Sequence, residues 1–209
     1  MAAVAAKSRK TKKVQRRAPA RAGSRETVEV IFEATARILS AHGKAGLNTN
    51  RIAEVAGVSV GALYGYFPNK EAILLAMAQR ELDLMRDRVQ AALTRNDTDV
   101  HPVRRAIRAL IKGYGARGKM RRILMETLFA HGGSEDMARP VYEIAEVIFA
   151  HLGDILPAGA AAPSRIGVYV LTRAVDGVIR TATYENVDFS ATPEFEDALM
   201  RLVMGYLAA

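Results

Sequence analysis

Residues 48–67 read NTNRIAEVAGVSVGALYGYF, and this stretch decides how the chain folds. Asn48 is placed to cap a helix, because its side-chain oxygen can accept one of the amide hydrogens that a helix leaves open at its start. The helix it opens carries Ile52, Ala53 and Val55 and stops at Gly57, where a residue without Cβ permits a sharp turn. Ser59 caps a second short helix holding Leu63 and Phe67, and Pro68 ends it. Ala53 is small where the two helices cross, Val58 plugs the space between them, and Leu63 anchors the second helix on Ile52. The pattern predicts a helix-turn-helix, an arrangement that lays its second helix in the major groove of DNA with N-terminal residues near base edges. A plain helical corner accounts for a turn glycine, but not for small residue, glycine, cap and anchor in register.

Outward from this stretch the periodicity is helical throughout. Upstream, Val28, Ile31, Phe32, Thr35, Ala36 and Leu39 form one stripe from Ser24 to Gly43. Downstream, Asn69 opens a long helix to about residue 95, closed by the polar run from Asn96 to Asp99. Further helices are predicted over 102–114, 119–131, 135–156 and 164–185, with a last one from Pro193 to about Leu207 capped by Thr192. Strand-like alternation is absent. The expected fold is all-α with about nine helices, divided into a basic tail (1–23), a three-helix helix-turn-helix domain (24–70) and a second helical domain (71–209), for which the resemblance described below implies ligand binding and dimerisation.

Charge is concentrated at one end. Lys7, Arg9, Lys10, Lys12, Lys13, Arg16, Arg17 and Arg21 stand among residues 1–23 without an acid, and they account for the whole formal excess of +8. A segment so poor in apolar residues is expected to be disordered, and its sign suits phosphate. A DNA-contacting arm, a solubilising leader and a targeting segment are the readings it allows; no apolar stretch follows it as in a secretory signal. No apolar run reaches the roughly 18 residues that span a bilayer, so no membrane partner is expected. The chain has no cysteine, and His42, His101, His131 and His151 are scattered without ligand spacing, so neither disulfides nor a metal site is expected.

From Arg51 to Ser59, from Leu63 to Phe67, and on through Pro68-Asn69-Lys70-Glu71-Ala72, the chain resembles the tetracycline-repressor (TetR) family. The resemblance covers residues 24 to about 85; the remainder matches only in length and helix count. It implies an N-terminal domain that binds operator DNA, and a variable helical C-terminal domain that binds an inducer and dimerises. Carried over residue by residue, it implies that Thr49, Tyr64, Tyr66 and Lys70 hold phosphates, while Asn50, Val60, Gly61 and Gly65 lie nearest the bases and Ser59 caps the recognition helix. Gly65 departs from the large side chain often found there, and Val60, Gly61 and Ala62 offer no hydrogen-bonding side chain, so discrimination is expected to rest on Asn50, thymine methyl contacts and DNA shape.

In the C-terminal part, Ile166 to Thr183 is apolar on both faces, with Ile166, Tyr169, Val170, Ala174 and Val178 on one and Val168, Leu171, Val175 and Ile179 on the other. Both faces then need cover. The last helix places Phe195, Leu199, Leu202, Val203 and Tyr206 on one stripe. Paired helices 164–185 and 193–207 from two chains would make a four-helix interface and give a homodimer on a near-palindromic operator. Asp176 is spaced to pair with Arg173 and Arg180. Tyr114, Met120, Met125, Phe129, Tyr142, Phe149 and Tyr169 are candidate walls of a pocket for an unidentified small-molecule inducer, because Met and aromatic side chains reshape readily around apolar molecules, and Arg173 is a candidate polar group to orient it.

Enzyme signatures are missing: there is no nucleophile with a base, no paired carboxylates in a cleft, and no glycine loop after a strand. No catalytic residue or cofactor is expected. The function expected is that of a sequence-specific, ligand-released repressor in the cytoplasm, associated with the nucleoid. The alternative is an architectural DNA-binding protein that answers to no ligand.

Overall fold

The computed structural model describes residues 22–95, 99–115, 118–131, 134–156 and 161–208. The basic tail through residue 21, the polar break at 96–98 and the loop segment 157–160 lie outside the described residues. Helices α1 (Ala22–His42), α2 (Thr49–Ala56), α3 (Val60–Tyr66) and α4 (Lys70–Thr94) come first, with a 3-10 turn at Lys44–Gly46. They are followed by α5 (Pro102–Gly115), α6 (Gly118–His131), α7 (Ser134–Ala150), α8 (Leu152–Ile155), α9 (Arg165–Tyr184) and α10 (Pro193–Leu207). No strand occurs among the described residues, and the fold is all-α.

The helix starts are built by the caps that the sequence announces. Asn48 accepts from the Arg51 amide at 2.8 Å, Ser59 from Ala62 at 3.1 Å, Asn69 from Ala72 at 2.8 Å and Thr192 from Phe195 at 3.3 Å. Gly57 closes α2 with φ +68°, a left-handed conformation that costs glycine little and other residues more. One predicted helix is two: 135–156 breaks at His151, whose amide turns back to Ile148 at 3.0 Å, and Gly153 follows in the one-turn α8. A glycine close behind a tightened turn weakens continuation of the helix.

Two apolar cores share α4. The first gathers Ile31, Ile38 and Leu39 of α1, Ile52 of α2, Leu63 of α3, Ile73, Leu74 and Met77 of α4, and Leu124 and Leu128 of α6. The second joins Met85, Val89 and Leu93 of α4 to Ile107 and Leu110 of α5, Val175 and Ile179 of α9, and Leu199 and Val203 of α10. The upper half of α4 belongs to the helix-turn-helix and the lower half to the bundle, so no seam falls at residue 70, the boundary expected between the two helical domains. A polar link crosses as well: Lys44 Nζ donates to the Thr127 hydroxyl of α6 at 3.3 Å.

The C-terminal helices correct two expectations. The covered stripe of α10 is Phe195, Leu199, Val203 and Leu207, whereas Leu202 and Tyr206 face outward. A strict four-residue repeat sets this stripe, and Leu202 and Tyr206 fall one position off it. On α9, Val168, Val175 and Ile179 are buried while Ile166, Val170 and Val178 are exposed. Asp176 is engaged by the Tyr114 hydroxyl and, at 3.9 Å, by Arg180, while Arg173 is exposed. Tyr114 reaches Asp176 from α5, a long-range partner that helical spacing could not reveal.

Candidate nucleic-acid interface

In the helix-turn-helix, Leu63 and Ile52 are wholly buried against α1, and Ala53 packs beside them. This seating fixes which side of α3 faces out. Val60 is 39 % exposed, Tyr64 49 % and Tyr66 38 %. Asn50, Ser59, Gly61 and Gly65 are exposed too. A Cβ placed on Gly61 or Gly65 would meet no atom within 4 Å, so neither glycine is required by packing.

Several of the expected contact residues are brought together directly. The Thr49 hydroxyl, at the start of α2, lies 3.0 Å from the Tyr64 hydroxyl on α3. Lys70 is half-buried, and its Nζ donates to the Leu47 carbonyl at 3.2 Å, just ahead of the α2 cap. An ammonium carries three hydrogens, so this bond leaves donors over for an anion. Tyr64 and Lys70 are thus held at the outer surface, not walled into the core. Arg51 also stands here, its guanidinium 2.7 Å from His42 Nε2.

The eight candidate pocket residues scatter. Met120 and Met125 are buried in the first core, against the DNA-binding helices. Phe129 and Tyr142 are exposed; Tyr142 stacks on Tyr169 at 4.7 Å, and Phe149 lies under the Arg165 guanidinium at 4.7 Å. Arg173 points outward, and Tyr114 is buried with its hydroxyl on Asp176. Burial, with Asp176 beside it, holds the Tyr114 phenol far above its ordinary range, so it stays a donor.

None of these eight lines the apolar cavity that the bundle encloses. That cavity, of about 60 Å³, is walled by aliphatic side chains, among them Val89, Leu93, Ile107, Leu110, Ile144 and Val175. They read in sequence as core, and nothing in helical periodicity separates a wall facing a void from one facing another side chain. Sequence reasoning also passed over Arg121, which is only 1 % exposed. Among the described residues there is no cluster of His, Asp and Glu suited to a metal ion, and no helix long and apolar enough to cross a membrane.

A capped three-helix unit presenting a short exposed helix, packed on a larger helical bundle, defines a helix-turn-helix DNA-binding regulator. Residues 31–77, which run from α1 through the helix-turn-helix into α4, match the family model described as bacterial regulatory proteins, tetR family. No curated protein sequence matches it significantly. Solved structures share its fold. A TetR-family regulator from Streptomyces coelicolor is 20 % identical with a TM-score of 0.60, covering 87 % of this chain and 97 % of that one. One from Marinobacter aquaeolei VT8 is 20 % identical with a TM-score of 0.58, covering 89 % and 96 %. BioQ with its double-stranded DNA operator is 26 % identical with a TM-score of 0.54, covering 87 % and 98 %.

Proposed function

We propose that the protein acts as a homodimer on a near-palindromic operator and is released from it by a small molecule taken into the C-terminal domain. The observation that carries the DNA-binding face of this reading is the outward side of α3, where Val60, Tyr64 and Tyr66 stand exposed around Gly61 and Gly65, with Thr49 and Lys70 alongside. Tyr64, Tyr66, Thr49 and Lys70 supply phosphate donors, which position a protein without reading sequence. Asn50, Val60 and the two bare glycines face the base edges. The likeness to BioQ, whose structure contains its operator, supports the same docking.

Dimerisation is supported by the outer faces of the last two helices. Ile166, Val170 and Val178 on α9 and Leu202 and Tyr206 on α10 leave an apolar surface uncovered in the single chain. Apolar surface of this extent is normally covered by a partner, and a second copy covers it with two-fold symmetry. The cavity between α4, α5, α7 and α9 supports a ligand, and α6, packed in the first core through Leu124 and Leu128, supports communication with the DNA-binding helices. Work on chromosomal DNA puts the protein in the cytoplasm with the nucleoid.

Enriching random duplex DNA on the purified full-length protein tests this reading. A recovered palindrome is expected. The bareness of Gly61 and Gly65 favours one second reading, an architectural protein that grips DNA without choosing sequence; recovery of bound DNA without a consensus would establish that reading instead.

A further inference from the structure

Every wall residue of the cavity in the bundle is Ala, Val, Leu or Ile, with the single exception of Thr172. The Thr172 hydroxyl donates to the Val168 carbonyl, one turn back on its own helix, at 2.7 Å, so its hydrogen is already placed. Among the described residues the wall's side chains therefore offer no free donor and no charge. A carboxylate, phosphate or ammonium brought into such a space would lose its hydration and find no partner. A hydrocarbon gives up no hydrogen bond on entering, and it supplies the close contacts that side chains around a void otherwise lack.

Size narrows the class further. At about 60 Å³ the space is less than half of the roughly 150 Å³ engineered aliphatic cavity that accepts benzene. It suits a chain of a few carbons better than an aromatic ring. Its position is central to the bundle: Leu93 of α4, Leu110 of α5, Ile144 of α7, Ile155 of α8, Val175 of α9 and Val203 of α10 all close on it. Of these helices, α4 runs on to Ile73, Leu74 and Met77, which seat the helix-turn-helix in the first core.

We propose that this cavity takes a small uncharged aliphatic molecule of a few carbons, held by contact alone and barred to any molecule that must bring a charge inside. This rests on the ligand-released reading above and names the chemical class of the ligand. Filling the cavity presses on Val89 and Leu93, so the ligand acts on the helix that the two cores share.

The test uses full-length protein carrying ¹³C-labelled Ile, Leu and Val methyl groups, which make up nearly the whole wall. Butane and pentane are compared with pentanoate and pentylammonium by following the methyl resonances. Both hydrocarbons should shift the methyls of Leu110, Val175 and Val203, at concentrations about a hundredfold or more below those at which either ion acts. Ala106→Leu, which carries a larger side chain into the space, should weaken butane binding by about tenfold or more. The wild-type comparison decides the matter even where that variant does not fold. Shifts produced by either ion as readily as by pentane, or no shift with either hydrocarbon, overturn the proposal. Anisotropy on the duplex recovered by DNA enrichment, read with and without pentane, separates the two claims. Pentane that fills the cavity and leaves DNA affinity unchanged upholds the ligand class and sinks ligand-released regulation, whereas cavity methyls silent toward both hydrocarbons sink only the ligand class.

Discussion

The Thr49 hydroxyl and the Tyr64 hydroxyl meet at 3.0 Å across the turn that separates α2 from α3. Both groups are near the surface, where such a bond adds little to stability, on the order of 0.5 kcal/mol. On the proposed docking its consequence is orientation, because the pair would present two hydroxyls to one phosphate path. Tyr64→Phe and Thr49→Val should each leave the urea midpoint nearly unchanged while weakening operator binding by about tenfold. Fluorescence anisotropy on a labelled operator, read beside a urea melt, checks this; an unaltered affinity in both variants would remove the pair from the interface.

Two glycines of the same motif should answer alanine in opposite ways. Gly57 holds φ +68° with open space where a methyl would stand, so Gly57→Ala suffers from backbone conformation alone and should lose about 1–2 kcal/mol. Gly61 lies inside α3 with open space around it, so Gly61→Ala should gain up to about 1 kcal/mol from helix propensity. The stabilised variant should nevertheless bind operator more weakly, since its methyl enters the space left for base edges. Thermal melts and anisotropy together separate fold from grip.

Glu196 of α10 ties that helix to α5, accepting from Arg104 Nη1 at 2.7 Å and from Arg108 Nε at 2.8 Å. Burial alone would push its carboxyl up, but the hydrogen bonds from Arg108 and Arg104 outweigh it and hold the carboxyl below the usual glutamate range. A carboxyl depressed by folding adds stability above its unfolded value and loses it as pH falls through the folded one. His101 acts in the same direction, since burial and then the nearby Arg105 and Arg104 lower its imidazole, so acid must charge it at a cost. Glu196→Gln should lower stability at neutral pH by about 1–2 kcal/mol and flatten the decline below the glutamate range. Denaturation midpoints from neutral pH down to the acid limb give the result.

Val170→Asp combined with Leu202→Glu places charges on the outward faces of α9 and α10, where both wild-type residues are exposed in the single chain. On the proposed homodimer, sedimentation should show a dimer for the wild type and monomers for the variant at the same concentration. Operator affinity should fall steeply, because a monomer offers one recognition helix. A variant that stays dimeric would move the interface elsewhere.

Most of the architecture was legible because each start and stop has a local cause. Asn48, Ser59, Asn69 and Thr192 each cap the helix that the sequence assigns to them, and Gly57 turns where its lack of Cβ matters. What stayed hidden depends on distance. Tyr114 finds Asp176 from another helix, Arg121 is sealed among four, and the cavity wall is made of Val89, Leu110 and Val175, whose letters are those of ordinary core. The choice of Met and aromatic residues as pocket walls weighted adaptability, whereas the enclosed space formed among stiff aliphatic side chains.

The 25-residue α4 runs unbroken from Lys70 to Thr94 and is owned jointly by both cores. Engineers who exchange sensing modules between regulators need a splice point, and this joint ownership dictates one. A hybrid cut ahead of Lys70 would strip the operator-facing module of Ile73, Leu74 and Met77; a cut beyond Met85 would carry foreign side chains into the receiving bundle. The tolerable crossover is confined to the stretch between Arg80 and Leu84, about one helical turn.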